Sequence, residues 1–167
     1  MKKQWIPDIW LVIFLLTLTA IFLFISFFRL INMNFSIGPF RLTHWFSLIG
    51  SLFIAIFTPI YIVLKRKRPE HLKWMLRIHI FGNLSSFMLI SIHFAQQMSR
   101  SAAYYPDLGT GVTLFVIMLM MVPTGILKRF QFIAKFGRHP RIFHTYIPFL
   151  FYMIIFVHML HGFGIWG

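Results

Sequence analysis

The sequence predicts an all-α membrane protein, a bundle of five transmembrane helices, and three observations predict it. Five apolar runs long enough to cross hydrocarbon follow one another along a chain of 167 residues, 59% of them hydrophobic. Basic residues gather at alternate connections between those runs. Few ionisable groups lie inside the runs, and four that do are histidines arranged in two equally spaced pairs.

A run of about 20 apolar residues reads as a membrane span because only a helix satisfies its own backbone polar groups in lipid. The first run, Ile9–Leu30, follows Lys2 and Lys3 in the order of a signal peptide. Its apolar stretch is too long for a signal-peptide core, and Ser26-Phe27-Phe28-Arg29 offers no small-residue cleavage site, so it reads as a retained helix. The second run is Leu42–Leu64, the third Trp74–Gln97, the fourth Leu108–Leu127 and the fifth Ile142–Phe163. Pro59, Pro123 and Pro148 fall inside them, with Gly50, Gly82, Gly111 and Gly125. Membrane helices tolerate prolines where neighbours compensate for the lost hydrogen bond, and small residues let helices approach closely. The five spans leave no room for a soluble domain, so residues 1–167 read as a single transmembrane domain.

The net charge of +13 would point to nucleic acid in a soluble protein. Its distribution gives a different reading, without nucleic acid as a partner. Lys65, Arg66, Lys67, Arg68, Lys73 and Arg77 surround the second connection, and Lys128, Arg129, Lys135, Arg138 and Arg141 the fourth. With Lys2 and Lys3 these make 13 of the 16 basic residues on one side, against Arg29, Arg41 and Arg100 on the other. By the positive-inside rule the amino terminus is then cytoplasmic and the carboxyl terminus outside, as five spans require, most simply in the cytoplasmic membrane. Spans three and five consequently run in the same direction.

On those two spans stand the histidines. His79 and His93 on the third, and His144 and His158 on the fifth, are each separated by 14 positions. On an α-helix that interval is a rise of about 21 Å and a rotation about 40° short of four turns. Both members of a pair therefore lie on similar sides of their helix, one near each membrane surface. Parallel spans put His79 at the level of His144 near the cytoplasmic side, and His93 at the level of His158 near the outer side. Two bis-histidine b haems stacked across the bilayer need this arrangement, so the predicted fold is a five-transmembrane-helix bundle binding two b haems. Iron held by two neutral imidazoles is coordinatively saturated, which favours electron transfer over oxygen chemistry. The second nitrogen of each ligating ring needs an acceptor, expected to be a backbone carbonyl.

Other residues are assigned around that core. Propionates prefer arginine; Arg77 and Arg141 precede the inner ligands by two and three residues, and Arg100 follows His93 by seven. The competing reading of Arg77 and Arg141 is topogenic charge at lipid headgroups. Gly82, three residues after His79, either admits a porphyrin edge or serves helix packing. His161 is the second choice as outer ligand, or a hydrogen-bond partner for a propionate or a quinone; His44, at the same level, shares that ambiguity. His71 and His139 read as solvated. The absence of cysteine excludes c-type haem attachment and cysteine-ligated clusters, and no glycine-rich nucleotide loop is present. Asp8, Glu70 and Asp107 all flank spans.

The histidine pairs on the third and fifth spans, with an inside amino terminus, resemble the ferric-reductase-like transmembrane domain. That family includes the membrane cores of ferric reductases and NADPH oxidases and the haem-binding subunit of a periplasmic methionine sulfoxide reductase system. Gly137-Arg138-His139-Pro140-Arg141-Ile142-Phe143-His144, followed by His158, is similar to the family's basic loop, ligand, apolar stretch and second ligand. The family usually carries a sixth span, and its oxidases a flavin and nicotinamide domain, whereas this sequence ends at Gly167. The 14-residue interval is also similar to that of the cytochrome b subunit of quinol-oxidising complexes. The resemblance implies the bis-histidine dihaem core and no particular substrate, and no quinone-site sequence typical of those complexes is visible. The reading is an electron-transfer subunit of an oxidoreductase working, in either direction, between a quinol or reductase partner and a redox partner on the opposite side, with quinone a candidate further cofactor. Two rivals from other classes are a haem-free protein using histidines for metal or proton transport, and a structural membrane anchor of a redox complex.

Overall fold

The computed structural model describes residues 5–101, 109–130 and 139–162, with the side chains of 5–7 and 139–143 outside that description. Among the described residues five helices are long and apolar enough to cross a membrane, the architecture of a multi-pass membrane protein. They are α1 (Trp5–Phe27), α2 (Leu42–Lys67), α3 (Leu72–Met98), α4 (Gly109–Arg129) and α5 (His139–Gly162). The chain divides into two compact units, Met1–Arg100 with α1 to α3 and Ser101–Gly167 with α4 and α5.

In the first unit α3 packs against both other helices. A third of its most apolar window (33%) is buried, against 17% for α1 and for α2, which makes α3 the central element. Asp8 meets Arg77 at one end of α1 and Arg29 meets Ser99 at the other, so α1 and α3 run parallel. Helix α2 runs antiparallel to α3, with His44 beside His93 and Tyr61 beside His79. Lipid tails are as apolar as the side chains, so close packing rather than water exclusion must hold such helices together. The seam uses small residues accordingly. A methyl group on Gly50 would stand 2.9 Å from the Ser86 carbonyl oxygen, and Ser86, Ser91 and Ala95 of α3 are buried. Large apolar side chains such as Trp10, Phe14, Phe24, Ile49, Ile56 and Trp74 remain exposed, a surface suited to hydrocarbon.

The helix ends have local causes. The apolar run of span one continues to Leu30, but α1 stops at Phe27, where Arg29 adopts a left-handed backbone (φ 53°). The Leu30 N–H then reaches the Ile25 carbonyl at 3.0 Å and the Arg29 N–H reaches that of Ser26 at 3.3 Å, the paired bonds of a Schellman stop. The Arg29 guanidinium donates from Nη2 to the Ser99 carbonyl at 2.8 Å and from Nε to Ser99 Oγ at 3.0 Å, clamping the parallel ends of α1 and α3. Between α1 and α2 lies a small hairpin, β1 (Ser36–Ile37) and β2 (Phe40–Arg41), which the apolar-run reading does not reach. Gly38 supplies the positive φ of 61° that its two-residue turn requires. Trp45 of α2 holds the hairpin by donating from Nε1 to the Ile37 carbonyl at 2.8 Å. Helix α2 ends in Lys65, Arg66 and Lys67 and α4 in Lys128 and Arg129, cations placed where the helix dipole is negative.

In the second unit α4 and α5 pack antiparallel, with Gly125 against His144 at one end and Gly111 against His158 at the other. Both helices continue through an internal proline, Pro123 and Pro148, as α2 does through Pro59.

Candidate functional site

Each of the four paired histidines is half-buried, and each has an aromatic or polar neighbour on an adjoining helix or turn. His79 stacks on Tyr61 of α2, ring centroids 4.5 Å apart and planes inclined by 12°. One turn further along α3, Asn83 places its amide nitrogen 3.2 Å from His79 Nδ1. The Asn83 Oδ1 is buried without a hydrogen-bond partner. Turned by 180°, the same amide would accept from Nδ1 instead of donating to it, leaving the imidazole lone pair on Nε2. His93 meets His44 edge to face, with centroids 5.0 Å apart, and His44 Nδ1 is buried without a hydrogen-bond partner.

The second unit is more regular. Thr124 Oγ1 lies 3.4 Å from His144 Nδ1, and Thr110 Oγ1 lies 2.9 Å from His158 Nδ1. The residue after each threonine is glycine. A methyl on Gly125 would stand 3.0 Å from His144 Cε1, and one on Gly111 would stand 3.3 Å from His158 Cε1. The two threonine-glycine pairs are 14 residues apart on α4, as the two histidines are on α5. Antiparallel helices that advance by equal numbers of residues rise by equal distances. The same threonine, glycine and imidazole arrangement is therefore built twice, at two depths.

These positions fit axial haem ligands on the chemistry of the donors. A metal-bound imidazole characteristically keeps its other ring nitrogen hydrogen-bonded, which fixes its orientation. His79, His144 and His158 each have a polar side-chain atom at Nδ1. For His79 and His158 the partner is a side chain, where the sequence suggested backbone carbonyls; His144 meets both the Thr124 hydroxyl and the Met121 carbonyl of α4, so the carbonyl expectation holds there. Among the described residues no three His, Asp or Glu side chains converge. Haem asks only one imidazole of each helix per axial position.

The peripheral assignments fare differently. Arg77 donates from Nη2 and Nε to Asp8 Oδ1, at 2.7 and 3.1 Å. Asp8 is 4% exposed in the first turn of α1, so a carboxylate that the sequence placed outside the span is instead buried in an ion pair. Over Gly82 the space is filled by the Phe53 ring of α2, which a methyl there would overlap, as helix packing requires. Arg100 caps the end of α3, its N–H bonded to the Gln97 carbonyl at 3.1 Å. His161 is exposed in the last turn of α5. Arg141 lies in the first turn of α5, with its side chain outside the described residues, as is Asp107 altogether.

Tyr61, Asn83, Thr110 and Thr124 enter the site without having been singled out from the sequence, and Gly111 and Gly125 were named there only as small residues within a span. For the threonine-glycine pairs the signal was present: the histidine interval recurs on the neighbouring span. Tyr61 gave none, because its place opposite His79 depends on the register of α2 against α3. Searches against family models, characterised proteins and solved structures give no match to this chain.

Proposed function

We propose that this protein is a membrane b-type dihaem cytochrome of the ferric-reductase-like kind, conducting electrons through the bilayer between partners on its two sides. The observation that best supports this is the doubled arrangement in the second unit, where α4 presents Thr110-Gly111 and Thr124-Gly125 to His158 and His144 at one shared interval. Packing alone has no use for two identical imidazole supports at two depths.

In this reading, which rests on the helix directions inferred from the distribution of basic residues, His79 with His144 would hold one haem b and His93 with His158 the other. A bis-imidazole haem supplies reversible one-electron exchange without an open coordination position. The chain's own part is to hold the imidazoles. Asn83, Thr124 and Thr110 lie within hydrogen-bond distance of Nδ1 of three of them. Arg100, at the end of α3 that carries His93, offers positive charge for a propionate; Arg77 is already neutralised by Asp8, which favours Arg141 and the cytoplasmic lysines for the inner one. The amino terminus faces the cytoplasm on the distribution of basic residues. Electron exchange at each surface falls to a quinol, a reductase or another redox protein.

The test is the pyridine haemochrome of purified protein against protein concentration, expected to approach two haems b per chain. A folded, monodisperse preparation without haem would overturn the reading in favour of histidine-dependent transport or a structural anchor. In liposomes, the loaded protein should pass electrons from an internal reductant to an impermeant external acceptor.

A further inference from the structure

We infer that α4 is the orienting helix of this centre: Thr124 holds His144 as the Nδ1–H tautomer, and Thr110 stands in the matching position at Nδ1 of His158. The tautomer follows from hydrogen-bond accounting at Thr124. Its hydroxyl oxygen lies 2.8 Å from the Met120 carbonyl and 3.0 Å from that of Met121, and a carbonyl can only accept. A hydroxyl carries one hydrogen, which here is committed to the helix backbone. Toward His144 Nδ1, at 3.4 Å, the Thr124 oxygen can therefore act only as an acceptor, and the Met121 carbonyl beside it is a second acceptor on α4, so the proton belongs to the imidazole. A neutral imidazole carries a single N–H, so its lone pair is left on Nε2.

The glycine completes the support. With no Cβ on Gly125, the edge of the His144 ring at Cε1 rests against the α4 backbone. Hydroxyl and bare backbone together restrain the ring both in rotation and in position. Fourteen residues earlier, Thr110 and Gly111 present the same pair to His158, with the shorter separation of 2.9 Å between Oγ1 and Nδ1. A histidine held in this way is a prepared ligand, since an Nδ1–H donated to an acceptor raises the basicity of Nε2. Thr110 and Thr124 are accordingly positioning residues. Their effect on a haem rests on the reading proposed above, whereas the tautomer does not.

The full-length protein, labelled with 15N-histidine, reports the tautomers by long-range 15N–1H correlation. His144 is expected as Nδ1–H in the protein without haem, and Thr124→Val should move it toward the Nε2–H form while leaving the His158 signals in place. In the haem-loaded protein the same substitution should shift one haem component to higher midpoint potential and leave the other in place, with Thr110→Val doing the reverse. Thr124→Ser keeps the oxygen and should match the parent in both measurements, which separates hydrogen bonding from packing and provides a folded control. An unchanged His144 tautomer in Thr124→Val, or an Nε2–H form in the parent, would overturn the inference. If the purified protein carries no haem, the haem reading fails, and the tautomer measurement still decides the role of α4.

Discussion

Adding a methyl group at Gly125 probes the support of His144 directly, and the equivalent change at Gly111 is its internal control. Carbon atoms attract best at about 3.5 Å or beyond, so a methyl 3.0 Å from His144 Cε1 is about 0.5 Å too close, and one 3.3 Å from His158 Cε1 only about 0.2 Å. Overpacking of this kind costs about 1–3 kcal/mol where the neighbour cannot move. Both rings have a threonine at Nδ1, at 3.4 Å for His144 and 2.9 Å for His158, so the contrast between the two sites rests on the methyl separations. Opposing the overpacking, alanine is favoured over glycine in a helix by about 1 kcal/mol. Gly125→Ala should therefore be destabilised by about 0–2 kcal/mol net and Gly111→Ala should be neutral or stabilised by up to about 1 kcal/mol. Thermal unfolding of both variants in one detergent measures the order, and reduced-minus-oxidised spectra should show Gly125→Ala perturbing the haem component served by His144. A larger effect from Gly111→Ala than from Gly125→Ala would refute the idea that α4 carries these rings on its bare backbone.

Three further outcomes are expected. His93→Ala and His158→Ala should remove one and the same spectral component, with His79→Ala and His144→Ala removing the other; loss of a shared component by His93→Ala and His144→Ala would break the proposed pairing. Arg77→Met should lower the melting temperature more than Asp8→Leu, because Asp8 is 5% exposed at its side chain and its buried carboxylate loses the guanidinium opposite it, whereas the Arg77 side chain is 54% exposed and can reach water or headgroups; equal losses would mean that the pair contributes no such asymmetry. Gly82→Ala should cost about 1–3 kcal/mol through overlap with Phe53, and Phe53→Ala in the same chain should recover part of that loss; additive melting-temperature changes would show that the two do not touch.

The five helices were legible in the sequence because a membrane span is a nearly one-dimensional signal. Apolar length alone specifies it, since any other backbone conformation would leave polar groups unsatisfied in hydrocarbon. The start of α2 at Leu42 coincides with that of its apolar run. The end of α1 does not, because hydropathy is silent about the left-handed turn at Arg29 that closes the helix among apolar residues. Extension of α2 to Lys67 was hidden for the opposite reason, a helix continuing into charge at the membrane surface.

The histidine interval was legible for the same reason as the spans: periodicity along a helix is a property of the sequence and helical geometry alone. What stands opposite each imidazole is a property of register between helices, and only the packed units decide that. Asn83, one turn from His79 on the same helix, lies at the boundary between the two kinds of information. Tyr61 over His79, Phe53 over Gly82 and Asp8 beneath Arg77 lie wholly on the tertiary side, since each joins residues far apart in sequence whose meeting depends on sub-turn alignment of two helices. Thr124 with His144 belongs there too, although the equal spacing on α4 and α5 gave it a trace in the sequence. The apolar pattern thus determined five membrane-length helices and two levels of histidine, while steric fit between the helices decided which side chains hold those rings.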